Sequence, residues 1–322
     1  LSALNSNFYA LDNLQDLAQA VRVLSRSDDQ NDRLVAGVLK QSFDAIGETY
    51  AAQSMIEWAR TAIDPERGIA PGAGSARFLL AAGRAFPRAA LVGIELDPLA
   101  ALLARANLAV HGLADRAEIR VCDYRAAAIE PIRGPTLFAG NPPYVRHHEI
   151  SGAWKSWLSR TARAHGLAAR QLSGLHVHFF LATLGHGRAG DVGAFVTAAE
   201  WLDVNYGQLV RDLLVGPLGL RRLDLVEPQA RPFDDALTTA AIAGFQIGER
   251  AATVQVRRLA SVEDLSALTG GRSVARRSLA KASRWTALSR PPRRPSRDMI
   301  ELGELCTVHR GQGMCRSRVV TT

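Results

Sequence analysis

The chain reads as a doubly wound α/β protein with a helical segment ahead of the sheet. Three observations carry that expectation: a small-residue loop that opens a helical pattern, short apolar runs that end in polar side chains, and apolar residues at three- and four-residue spacing over residues 1–63. In that first region Leu11 to Leu24, Asp32 to Ile46 and Gln53 to Ile63 predict helices that pack beside the sheet. Next comes Ala70-Pro71-Gly72-Ala73-Gly74-Ser75-Ala76, whose small residues let backbone approach a ligand closely at the start of the helical stretch Arg77–Ala82. Ala90–Glu95 reads as a buried parallel strand ending in an acid. Glu95 stands about 20 residues beyond Gly72, a spacing at which a strand-end carboxylate, followed here by Leu96, can accept from ribose hydroxyls. Asp97 and Pro98 supply the N-cap and first-turn proline of the following helix. A third strand, Ala117–Cys122, ends at Asp123, a candidate acceptor for an adenine amino group, with Tyr124 beside it. A fourth apolar run, Leu137–Gly140, leads into Asn141-Pro142-Pro143-Tyr144. Ligand-type residues thus close four successive strands, and open α/β sheets bind ligands at those carboxyl ends.

The tetrapeptide is the most informative stretch. The Asn141 side-chain oxygen and the Pro142 carbonyl can both accept from one –NH2 group, which draws the nitrogen lone pair out of conjugation and makes it a better nucleophile without a strong base. Pro142 and Pro143 fix φ and stiffen the turn, and Tyr144 offers a ring on which a planar group can stack. The arrangement suits methylation of a planar exocyclic nitrogen.

In this order the motifs resemble those of class I S-adenosylmethionine-dependent methyltransferases with a Rossmann-like sheet, and specifically the gamma-type N6-adenine DNA methyltransferases of restriction–modification systems. The resemblance runs from about residue 40 to the end. It implies S-adenosyl-L-methionine as cofactor, held by Tyr50, Ala70, Gly72, Gly74, Glu95, Leu96, Asp123, Tyr124 and Asn141. It also implies catalysis by Asn141, Pro142, Pro143 and Tyr144 on an adenine flipped out of duplex DNA. Phe195–Leu202, then Tyr206-Gly207, is similar to that subgroup's later strand and tryptophan segment. Arg231–Ala236 resembles a loop whose aromatic residue, here Phe233, contacts the flipped base together with Tyr144. The departures cluster around the cofactor: alanine stands at 70, 73 and 76, where the family has an acid, a small or sulfur residue and a last glycine. Ala51 and Ala52 replace a Thr-Pro pair.

Composition sets the frame. With 322 residues, 47% of them hydrophobic, the chain can bury a domain of about 200 residues plus a partial second unit. We divide it into a helical segment (1–63), a methyltransferase domain (64–258), a basic linker (259–298) and the opening of a target-recognition domain, cut short (299–322). Net charge is +8, and from Arg272 to Arg297 every charged side chain is Lys or Arg. Such a run either neutralises phosphates or acts as a solvated linker, which Pro291, Pro292 and Pro295 favour. Duplex DNA is the expected partner, with a restriction endonuclease or other defence-system protein implied by the family. Cys122, Cys306 and Cys315 fit no common metal spacing, the adjacent His147, His148 and Glu149 have poor ligand geometry, and no metal is expected. His176 and His178 read as core or edge residues. The sequence shows neither a membrane span nor an export pattern, which predicts the cytoplasm. Three other readings stay open. An N5-glutamine protein methyltransferase uses the same tetrapeptide on a planar amide, the altered glycine loop suits a silent DNA-binding subunit, and Gly72-Ala73-Gly74 alone suits, weakly, a nicotinamide dehydrogenase.

Overall fold

The computed structural model describes residues 46–170, 172–227 and 239–290, and those up to Ser289 belong to one compact unit. Helix α1 (Ile46–Arg60) is followed by β1 (Arg67–Pro71), α2 (Arg77–Ala85), β2 (Ala90–Glu95), α3 (Pro98–Val110), β3 (Ala117–Val121) and β4 (Thr136–Gly140). Then come α4 (Gly152–Ala164), α5 (Leu175–His186), β5 (Val192–Ala198), α6 (Gln208–Val215), β6 (Leu220–Val226) and β7 (Ala240–Gln246). The described part closes with β8 (Thr253–Leu259), β9 (Arg272–Ala275) and α7 (Arg276–Lys281). The helical spans expected at Leu11–Leu24 and Asp32–Ile46 lie outside the described residues, except for Ile46 itself.

The strands form one sheet in the order β3-β2-β1-β4-β5-β7-β6-β8-β9. The five strands from β3 to β5 run parallel, and β7 enters antiparallel between β5 and β6. Strand order reverses between β1 and β4, so the loops after those two strands open the crevice where doubly wound sheets bind ligands. Helices cover both faces, which is why the central strands read as unbroken apolar runs: all five residues of β4 are buried. One face carries an aromatic core of Phe138, Phe180, Phe195, Trp201, Phe245 and Trp285. On the other, Met55, Ile56, Leu79, Leu91 and Leu137 pack beneath α1, α2 and α3. Among the described residues no helix is long and apolar enough to cross a membrane.

Of the linker expected over 259–298, the part through Ser289 belongs to the fold, while residues 291–298 and the target-recognition opening expected at 299–322 lie outside the described residues. Strand β8 pairs parallel with β6, β9 pairs antiparallel with β8, and residues through Ser289 belong to the same unit as the sheet. The basic run is therefore divided. Arg276 donates to the carbonyls of Ala251, Val215 and Leu220 at 2.6–2.8 Å, and Arg272 donates to that of Leu288 at 3.2 Å. Both act inside the fold. Arg277, Lys281 and Arg284 stay exposed, the first two four residues apart on α7. Trp285 anchors the segment, its ring edge-on to Trp201 at 5.8 Å and its backbone amide donating to Leu202 O at 3.0 Å.

Strands β6 and β8 also bury charge. Asp224 stands opposite Arg257 in the register, and its carboxylate accepts from Arg257 Nε (2.7 Å) and Nη2 (2.8 Å) and from Arg222 Nε (2.7 Å). All three side chains are less than a tenth exposed.

Candidate active site

The tetrapeptide leaves β4 against the end of β1. A Cβ on Gly140 would lie 2.8 Å from the carbonyl oxygen of Pro71, so only glycine lets the two strand ends approach this closely. Gly72 follows at φ 63°, where a side chain would be strained, and an ideal Cβ there would sit 3.6 Å from Pro143 and 3.9 Å from the Asn141 carbonyl. The glycine loop and the tetrapeptide thus meet at the reversal of strand order. Pro142 is buried, Asn141 and Pro143 are half-buried, and Tyr144 is 47% exposed. The Tyr144 hydroxyl donates to Asn141 Oδ1 at 2.9 Å. This bond pins the amide and leaves Oδ1 one further lone pair. The sequence predicts Tyr144 only as a stacking wall, and in the structure it also sets the rotamer of Asn141.

Around the loop, Ala70 is a buried residue of β1, and the buried Ala73 donates its amide to Ile94 O at 3.1 Å. Ala76 has φ 71° and caps α2 without a side-chain bond. Left-handed backbone costs a non-glycine residue about 1–2 kcal/mol, and no other non-glycine residue among those described adopts positive φ. Ala76→Gly is expected to raise stability by up to about 1 kcal/mol, since the relief of strain is offset by the larger unfolded-state entropy of glycine. Ala76→Val, at a position with no exposed surface, should lower it. Denaturant midpoints check both, and a less stable glycine variant would show that the strain is not real.

Glu95 closes β2 facing the loop. Its Oε2 accepts from Gly74 N (2.8 Å), and its Oε1 from Leu96 N (2.8 Å) and Asp97 N (3.0 Å). With two lone pairs per oxygen, Oε1 is filled and Oε2 keeps one. Both hydroxyls of a ribose can be taken only if a backbone amide lets go. Leu96 is 66% exposed beside it. Asp97 caps α3 through Leu99 N at 2.8 Å with Pro98 following, as its sequence position predicts.

Asp123 does not stand open at the end of β3. Oδ1 accepts from the Arg125 amide and Nε, both at 2.9 Å, and Oδ2 accepts from Arg125 Nη2 at 2.6 Å. Burial alone would raise the Asp123 pKa, but the bonds and charge of Arg125 outweigh it and hold the carboxyl below its usual value. One lone pair of Oδ2 remains. Tyr124 follows Asp123 with its side chain in the core. Its ring is buried in the aromatic core against Phe179 and its hydroxyl bonds Thr183 Oγ1 at 2.9 Å, so the side chain has packing partners within the fold. Burial pushes its phenol above the ordinary range. Tyr50 is half-buried on α1 and packs on the core under that helix, while neighbouring Thr49 accepts from Arg77 Nη1 at 2.9 Å and ties α1 to α2. Phe233 lies outside the described residues.

Sequence reasoning missed Arg125. Its guanidinium lies 3.7 Å over the Trp154 ring of α4, and Nη1 approaches His178 Nδ1 of α5 at 3.5 Å. His178 is fully buried and stacks on Trp157 at 5.8 Å. Burial, with the Arg125 charge adding to it, lowers the His178 pKa to about 4, so the ring is neutral near pH 7 and can accept from Arg125. The only sequence signal was the i, i+2 spacing of an acid and an arginine after a strand. His147, His148 and Glu149 form a short helical turn, and no group of three or more His, Cys, Asp or Glu side chains among the described residues could hold a metal. A cleft of about 700 Å³ lined by Gln53, Arg60, Ser75, Arg84 and His111 lies between α1, α2 and α3 and includes none of the strand-end residues. The acceptor oxygens of Glu95, Asp123 and Asn141 stand at the strand ends, outside that cleft.

No protein-family model matches the chain. It is 50% identical over 260 residues to the type II methyltransferase M.XamI of Xanthomonas campestris pv. amaranthicola, an alignment covering 81% of this chain and 49% of that protein. The chain thus spans about half the length of that relative. Its fold is similar to that of the type IIG restriction endonuclease BpuSI, with TM-score 0.57 and 16% identity over 74% of this chain and 31% of that one. It is also similar to a type I restriction–modification methyltransferase subunit from Streptococcus thermophilus, with TM-score 0.55 and 16% identity over 74% of this chain and 53% of that one. The chain is thus similar, at half of the aligned positions over four-fifths of its length, to a restriction–modification methyltransferase, and its sheet has the Rossmann-like fold of the class I methyltransferases.

Proposed function

We propose that the chain carries the catalytic part of a site-specific DNA methyltransferase that moves a methyl group from S-adenosylmethionine to N6 of an adenine flipped out of duplex DNA. The observation that carries this is the junction of Asn141, pinned by the Tyr144 hydroxyl, with Gly72 at the reversal of strand order. Asn141 Oδ1 and the Pro142 carbonyl accept from the amine, and the stiff turn holds them before substrate arrives. Tyr144, 47% exposed, is the aromatic residue that would stack on the base. S-adenosylmethionine fits the residues present: Gly72 and Gly74 keep the loop backbone bare at positive φ, Glu95 Oε2 and Asp123 Oδ2 each keep an acceptor site, and Leu96, next to Glu95, is exposed. When bound it supplies an electrophilic methyl group. The relative's place in a type II system makes a cognate restriction endonuclease the partner we expect. Incubation with tritium-labelled S-adenosylmethionine and duplex DNA should put label into N6-methyladenine. Label in protein glutamine, or bound cofactor with no transfer to any acceptor, would overturn the reading.

Two further results are expected. Glu95→Ala should weaken S-adenosylmethionine by roughly 1–3 kcal/mol, because a buried hydroxyl loses its acceptor and three backbone amides lose theirs. Calorimetry checks this, and an unchanged dissociation constant would remove Glu95 from the site. Neutralising Arg277, Lys281 and Arg284 together should reduce the slope of log DNA affinity against log salt by about 0.9 for each phosphate that is no longer neutralised. Arg276 is excluded because it is bonded within the fold. An unmoved slope would put the DNA path elsewhere.

A further inference from the structure

We propose that Arg125 is a positioning residue that relays cofactor binding at Asp123 to helix α4, the first helix after the tetrapeptide. The inference rests on the reading of Asp123 as a cofactor-side acceptor. Arg125 is 8% exposed and joins three elements: it fills three of the four acceptor sites of Asp123, stacks over Trp154 in the first turn of α4, and reaches His178 on α5. The tetrapeptide exit is bound into the same block, because the Val145 carbonyl accepts from Leu175 N at 3.0 Å at the start of α5. Trp154 and Trp157 meet edge to face at 5.8 Å, and Trp157 stacks on His178, so the ring beneath Arg125 and the ring beside His178 belong to one aromatic ladder.

The coupling follows from solvent. The Asp123 side chain is 20% exposed, so water still screens its pair with Arg125. A cofactor whose amino group takes the last Oδ2 lone pair also removes that water, and the same charge pair then acts in a lower dielectric. Arg125 is held more rigidly, and its planar guanidinium is the surface on which Trp154 rests. Docking of α4 tightens as a result, and with it the exit of the segment that carries Tyr144. A lysine in this place keeps the charge but has neither the fork for Asp123 nor the plane for Trp154.

The test is hydrogen exchange along Gly152–Ala164 with and without S-adenosylhomocysteine, together with the affinity of that ligand. In the unaltered chain, saturation with S-adenosylhomocysteine should slow exchange in α4 roughly fivefold or more, the low end of ordinary site-to-site coupling. Arg125→Lys and Trp154→Leu should each bring that ratio close to one under saturating ligand, while Trp154→Phe, which keeps a ring under the guanidinium, should retain most of it. Trp154→Leu leaves Asp123 and Arg125 paired, so it tests the relay even where Arg125→Lys is unstable. Ligand-induced slowing that persists in Trp154→Leu, or ligand binding in the unaltered chain without slowing in α4, overturns the relay alone. No binding by the unaltered chain overturns the functional reading and the relay together.

Discussion

Asn141→Ala is expected to cut methyl transfer by on the order of 10²-fold or more while S-adenosylmethionine affinity changes little. As the acceptor nitrogen is methylated it develops positive charge, and an acceptor oxygen aimed at that nitrogen is worth most at that moment. The amide oxygen supplies such an acceptor, and the Tyr144 hydroxyl holds it in place at 2.9 Å before any substrate binds. The Pro142 carbonyl remains in the variant, so the loss is large but not total. Tyr144→Phe separates the two duties of that residue: the ring is kept, the hydroxyl that pins Asn141 is lost, and turnover should fall less than in the alanine variant. Single-turnover transfer to DNA, with cofactor affinity measured by calorimetry, checks both. An Asn141→Ala enzyme with comparable turnover would take the tetrapeptide out of the mechanism.

Much of this site is legible in the sequence because its parts are local. Ala90–Glu95 is a strand over the residues its apolar run marks, and Asp97-Pro98 caps the next helix, since buried parallel strands and helix starts leave short-range signatures. Asn141 follows β4 for the same reason. The direction of the Tyr124 side chain is not legible, because adjacency to an acid at a strand end says nothing about which way the next side chain turns, and here it turns into the aromatic core. The run from Arg272 resembles a linker because charge density and prolines signal solvation. Arg276 instead meets carbonyls from three separate segments, a partnership set by long-range packing that no local pattern encodes. Likewise β8 lies beside β6 with β7 between them in sequence, a parallel pairing without a hairpin signal. Arg125 leaves no such signature because its stacking partner is some thirty residues away on another helix.

Asp224→Ala should destabilise the fold by about 3–5 kcal/mol, the usual result of stripping a buried charge of its partner. Arg222 and Arg257 are 8% and 4% exposed, and between them they place three N–H donors on this one carboxylate. Burial already lowers the pKa of Arg222 and the Asp224 charge opposes that shift, so without the carboxylate the cost of the buried cation stands uncompensated. The carbonyls of Leu268 and Ala267, which also accept from these arginines, are dipoles and cannot replace a full charge. Against a total stability of about 5–15 kcal/mol, the variant loses about a fifth or more of its margin. The loss should appear as a lower denaturant midpoint at unchanged slope. The complementary experiment removes all three charges at once, with leucine at 224 and methionine at 222 and 257. Replacing a whole buried ionic group by apolar side chains of similar volume is often neutral or stabilising, so the triple variant should be more stable than Asp224→Ala. If instead the triple variant is as unstable as the single one, the loss comes from packing at the β6–β8 junction and not from unpaired charge.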